Sequence, residues 1–77
     1  MSIHVKFFAS LREQMQRAEA SVEAGGVATV ADVWNAVAGD EPLPPNVLTA
    51  VNLEYVAPGH DVRDGDEVAF FPPVTGG

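Results

Sequence analysis

The sequence predicts an α+β roll, one main helix laid across a single mixed sheet of about five strands. Three observations lead there. Alternating apolar residues open the chain at Ile3, Val5 and Phe7 and close it at Val68 and Phe70. Between them, Val30, Val33, Trp34 and Val37 recur at i, i+3, i+4 and i+7, the spacing of one helix face. With only 77 residues, a single small domain over 1–77 is expected, built on one core.

Taken in order, Ser2 to Phe8 alternates as a strand, with His4, Lys6 and Phe8 on its second face. Phe8 on that face predicts that part of it is also covered. Ser10 and Glu13 have capping-box spacing, which predicts a short helix from Leu11 to Gln16 with Leu11 and Met15 inward. Ala18 to Ala24 alternates again and reads as an antiparallel return strand, broken by Gly25-Gly26.

Thr29 is placed as the N-cap of the main helix, Asp32 lies in its first turn, and Gly39 is placed to end it. Trp34 on this stripe is read as the largest core residue rather than a ligand platform. The prolines at 42, 44 and 45 make the stretch from Asp40 to Asn46 a loop. Val47 to Asn52 and Glu54 to Val56 read as strands joined by a tight turn near Asn52-Leu53. After turns at Pro58-Gly59 and Asp64-Gly65, Glu67 to Phe71 forms the last strand. Val68 and Phe70 mark one of its faces, Ala69 and Phe71 the other, so it belongs in mid-sheet beside the first strand.

Composition narrows the function classes. There is no cysteine, which excludes disulfides, thiol catalysis and thiolate metal sites on this chain. The net charge is −7, with Lys6, Arg12, Arg17 and Arg63 the only Lys or Arg residues. Nucleic acid and anionic membranes are therefore poor partners, and a protein with a basic docking face is the better expectation. No signal-peptide pattern or membrane-length apolar run is present, so the expected location is cytoplasmic.

His4 and His60 lack metal-ligand spacing, and Asp61, Asp64, Asp66 and Glu67 do not follow a calcium-loop pattern, so no metal site is expected. Gly25-Gly26 lacks the Lys-Ser/Thr of a phosphate-binding loop, and no nucleophile elbow is visible.

The functional element is the C-terminus, Phe70-Phe71-Pro72-Pro73-Val74-Thr75-Gly76-Gly77. The prolines cannot donate to a sheet and bias the residues before them toward extended backbone. Residues 72–77 are therefore expected to leave the globule as a flexible but directed tail, with a reach of up to ~20 Å. Gly76 and Gly77 carry no Cβ and suit a narrow partner channel.

The run from Asp64 to Gly77 resembles the C-terminus of the small subunit of molybdopterin synthase. Val5-Lys6-Phe7-Phe8-Ala9 with Leu11-Arg12-Glu13 is similar to that family's opening strand and first helix, and Ala50-Val51-Asn52 to its central strand. The likeness covers nearly the whole chain, the loop from Gly39 to Asn46 being its least diagnostic part.

The resemblance implies a β-grasp, ubiquitin-like fold and a sulfur-carrier role in molybdenum cofactor biosynthesis. It implies that Gly77 is adenylated by an ATP-dependent, ubiquitin-activator-like adenylyltransferase and converted by a sulfur donor to a thiocarboxylate. The tail from Pro72 through Pro73, Val74, Thr75 and Gly76 would then thread into the large subunit and give sulfur to cyclic pyranopterin monophosphate. The family works as a heterotetramer, with catalytic residues on the large subunit and no cofactor bound to the small one. Phe8 and Phe71 are the expected interface residues. A sulfur carrier for thiamin thiazole synthesis, a ubiquitin-like modifier of lysines and a plain interaction domain remain as alternatives.

Overall fold

The computed structural model describes residues 1–39 and 42–72. The chain runs β1 (Ser2–Phe7), α1 (Ser10–Met15), β2 (Glu19–Glu23), a 3₁₀ turn (Ala24–Gly26), α2 (Val30–Ala38), β3 (Leu48–Val51), β4 (Glu54–Val56) and β5 (Glu67–Phe71). The strands form one sheet in the order β2-β1-β5-β3-β4. β1 and β5 are the parallel pair, with Val5 opposite Val68 and Phe7 opposite Phe70. The other pairings are antiparallel. The first and last strands thus lie side by side in mid-sheet, where their apolar patterns place them.

One face of the sheet carries the core. Ile3, Val5, Val68 and Phe70 are almost fully buried against Val30, Val33 and Trp34 of α2. Trp34 meets Phe70 edge-on, ring centroids 5.0 Å apart. Each such side chain contributes roughly 1.5–3 kcal/mol through burial. Met15, Val37 and Leu43 pack around the margin of this core.

The main helix begins as its sequence specifies. Thr29 Oγ1 accepts from the Asp32 backbone N–H at 3.3 Å, and Asp32 Oδ2 accepts from the N–H groups of Thr29 and Ala28 at 3.1 and 3.0 Å. This is a complete capping box. Gly39 ends the helix at φ 73°, a left-handed conformation that glycine adopts without steric cost.

The first helix departs from expectation. Ser10 is already its first helical residue, so the Ser10–Glu13 capping box does not form. Ala9 occupies the N-cap position at φ 51° with no side-chain cap, and the turn starts through backbone bonds from Leu11 to Phe8 and from Arg12 to Ala9. Leu11 is buried and Met15 half-buried. Gln16, expected inside the helix, instead caps it in the left-handed region at φ 59°. β1, β2 and β3 are shorter by a residue or two than their sequence patterns, the usual scatter at element ends, while β4 and β5 match theirs. No helix among the described residues is long and apolar enough to cross a membrane.

Candidate functional site

Alternation along β1 and β5 sends Phe7 and Phe70 into the core and leaves Phe8 and Phe71 on the opposite, helix-free face. There the two rings stack, centroids 4.6 Å apart and planes 10° apart. Tyr55 of β4 leans on Phe71 at 5.8 Å and 57°. With Ala50, Leu53 and Ala69 these rings line a shallow depression of about 160 Å³. Phe8 is 40% exposed, Tyr55 72% and Leu53 90%. These side chains form a contiguous, exposed apolar patch on the helix-free face.

Phe8 and Phe71 therefore sit where the sequence places them, on the second face of adjacent central strands. Tyr55 and Leu53 belong to the same patch but were missed. Leu53 stands in the two-residue connection from Val51 to Glu54, and Tyr55 follows it on β4. Asn52 and Leu53 both have positive φ, 50° and 72°, the pattern of a type I′ hairpin turn. Such a turn ordinarily takes Asn or Gly, so a leucine held there and almost fully exposed is an apolar group displayed against its backbone preference.

Asn52 fixes the patch to the end of the sheet. Its backbone N–H donates to Glu67 O at 2.8 Å, its Oδ1 accepts from the Glu67 N–H at 3.0 Å, and its Nδ2 donates to Asp66 Oδ1 at 3.0 Å. Asp66 Oδ2 accepts from the Arg63 N–H at 2.9 Å. The Asp66 carboxylate in this acidic loop is thus engaged in closing the Asp64-Gly65 turn.

The rim of the patch is charged. Lys6 Nζ lies 3.0 Å from Glu67 Oε1. That hydrogen bond and the Glu67 charge, with a smaller push from Glu19, hold the Lys6 ammonium above its ordinary range. His4 Nε2 meets Glu19 Oε1 at 2.8 Å, an exposed pair.

β5 ends at Phe71, and Pro72 follows half-buried, lining a depression together with Met15, Trp34 and Val47. The tail therefore starts at the border between the core and the aromatic patch. Pro73, Val74, Thr75, Gly76 and Gly77 lie outside the described residues.

The ThiS family model matches residues 5–77. The chain belongs to the ThiS family. Relatives at full length include the molybdopterin synthase sulfur carrier subunit of Escherichia coli, 40% identical over 97% of this chain and 99% of that one. The subunit of the same name from Chlamydomonas reinhardtii is 36% identical over the whole of both chains. The crystal structure of the modifier protein SAMP1 from Haloferax volcanii superposes with a TM-score of 0.84 at 32% identity, covering both chains completely. The resemblance drawn from the C-terminal run and the opening strand thus holds, and this ThiS-family chain has the ubiquitin-like β-grasp fold.

Proposed function

We propose that this chain is the sulfur carrier of molybdopterin synthase, active in the cytoplasm as the non-catalytic small subunit of a heterotetramer. The observation that carries the reading is continuity. The last core strand ends on the half-buried Phe71 of the aromatic patch, and six residues run from Pro72 to Gly77. A partner seated on the Phe8–Phe71–Tyr55 patch therefore has the terminal carboxylate within ~20 Å of the docking surface. Full-length similarity to molybdopterin synthase sulfur carrier subunits supports the same reading.

The chemistry divides between this chain and its partners. A carboxylate is a poor acyl donor because its charge is delocalised and it has no good leaving group. The Gly77 carboxylate attacks ATP on an activating enzyme, forming the acyl-adenylate and releasing pyrophosphate. A persulfide on a donor protein then displaces AMP, and a thiol cleaves the resulting acyl disulfide, leaving the thiocarboxylate on Gly77 and a disulfide on the donor. The tail carries that sulfur into the large subunit, which transfers it to cyclic pyranopterin monophosphate. Pro72 and Pro73 lower the entropy lost when the tail is threaded. ATP is consumed by the activating enzyme, and the carrier itself holds no cofactor.

Intact mass spectrometry tests the assignment after incubation with activating enzyme, ATP and a sulfur donor. A sulfur carrier gains one oxygen-to-sulfur exchange at Gly77. A lysine modifier appears instead in isopeptide linkage to other proteins, and an unchanged mass rejects both.

A further inference from the structure

β2 is an edge of the sheet, and among the described residues its outer side pairs with no other strand. The Ala24 N–H donates to Met1 O at 3.2 Å and the Phe7 N–H to Ala18 O at 2.9 Å. With Ile3 opposite Val22 and Val5 opposite Ala20, the ladder to β1 runs through the even-numbered residues of β2. The backbone groups of Glu19, Ser21 and Glu23 consequently face outward. Among the described residues β2 pairs with β1 alone, on the side these groups face away from.

A groove of about 360 Å³ runs beside this edge, between β2 and α2. Its apolar wall comprises Ala20, Val22, Val27 and Val37. Arg17 closes it near the start of β2, held by a 2.9 Å bond from Nη2 to Val37 O. On the other side of the strand, the Glu19, Ser21 and Glu23 side chains are all exposed.

We propose that the β2 edge is a second docking surface, which takes up an extended partner segment of alternating apolar and basic residues as a sixth strand. An added strand alternates its side chains between two faces. One set lies over the groove beside Val22 and Val37. The other lies beside Glu19 and Glu23, which are four residues or ~13 Å apart along the strand. Opposite charges on neighbouring strands stabilise the pair, and like charges destabilise it. A second copy of this chain pairing β2 with β2 would oppose glutamates to glutamates. The same two residues thus block self-pairing at the exposed edge and select a basic strand. The added strand would lie beyond β2, while Phe71 and Tyr55 of the aromatic patch lie on β5 and β4.

The test is an amide-resolved NMR titration of the full-length ¹⁵N-labelled chain. The probe is a peptide of about nine residues alternating valine with lysine, long enough to span β2. The control carries glutamate at each lysine position. Shifts centred on Glu19–Glu23 and Val37, with binding about tenfold tighter than the control, are the expected result.

Glu19→Lys combined with Glu23→Lys should reverse the preference. Ser21→Pro removes an outward donor without removing a bond to β1, and should abolish binding to both peptides. If the proline variant does not fold, the charge-reversed variant decides alone. Shifts centred on Phe8, Tyr55 and Phe71, equal affinity for the two peptides, or concentration-dependent self-association through β2 would each overturn the proposal.

Discussion

Phe8 and Phe71 stack face to face on the helix-free side of the sheet, 4.6 Å between centroids. Their chain neighbours Phe7 and Phe70 are stacked at 6.1 Å on the core side. Two Phe-Phe dipeptides in parallel register thus straddle the sheet, one ring of each inside and one outside. The inner pair is part of the hydrophobic core. The outer pair buries less and leaves apolar area facing water, which a partner can remove from solvent.

Tyr55→Ala and Phe8→Ala should therefore separate binding from folding. Tyr55 is 72% exposed, so its removal should change stability by no more than about 0.5 kcal/mol. Aromatic anchors at an interface centre are typical hot spots, and each substitution should weaken binding to the large subunit about tenfold or more. Calorimetric titration against the purified large subunit, with thermal melts of the free variants, measures both. Unchanged affinity in both variants would remove the patch from the interface.

The start of α2 offers a stability test with a pH signature. Thr29→Ala deletes the hydroxyl that accepts from Asp32 and should cost about 1 kcal/mol. In a domain of this size that lowers the melting midpoint by roughly 4–8 °C. The backbone N–H of Ala28, then that of Thr29, holds the Asp32 carboxyl below its ordinary value of 3.8. A carboxylate depressed in the folded state stabilises above its unfolded pKa and loses that effect as pH falls through the lower, folded pKa. Asp32→Asn should accordingly flatten the acid limb of the stability curve below about pH 4. Unfolding followed by the fluorescence of Trp34, the single tryptophan, reports both changes. Identical acid limbs for parent and Asp32→Asn would refute the carboxylate's role.

These two regions also show what could be read in advance. Thr29, Asp32 and the Val30–Val37 stripe are short-range signals, fixed by helix periodicity and capping, and they appear in place. The same rules failed at Ser10 and Glu13, where Ala9 takes the N-cap position in a positive-φ turn. Spacing alone could not reveal that backbone geometry. Phe8 and Phe71 were legible because alternation places them on the second face of strands whose first face is core. Tyr55 and Leu53 were not, because their membership depends on β3 carrying β4 across to β5, a long-range pairing. The recognisable C-terminal run supplied the chemical role, which neither periodicity nor charge contained.

Gly76→Val tests whether the tail enters a narrow site. Valine adds an isopropyl group and restricts φ next to the reacting terminus. Five residues past the end of β5 in sequence, the change should leave the melting midpoint of the free carrier within the range of surface substitutions. Sulfur transfer by the pre-loaded carrier should fall steeply, measured as molybdopterin formed per thiocarboxylate supplied. A normal yield would mean that the partner channel is not tight around this residue.

Removing Gly77 addresses the chemistry itself. The deletion leaves a carboxylate on Gly76 and withdraws it by up to ~3.3 Å. Productive attack needs reacting atoms about 3–3.5 Å apart, so a displacement of that size removes near-attack geometry. Adding one residue after Gly77 should be as damaging, since the activated carbonyl then lies beyond the position the partners hold. Neither change touches Phe8, Tyr55 or Phe71, so docking on the patch should persist with little loss of affinity. The expected variant is folded, binds the large subunit and forms no molybdopterin. Intact mass after activation locates the defect. If no thiocarboxylate forms, the activating enzyme is the step that measures tail length. If it forms but is not consumed, the large subunit is. Molybdopterin formation at the parent rate by the deletion variant would show that neither partner measures tail length, and the requirement for the Gly77 carboxyl would fall.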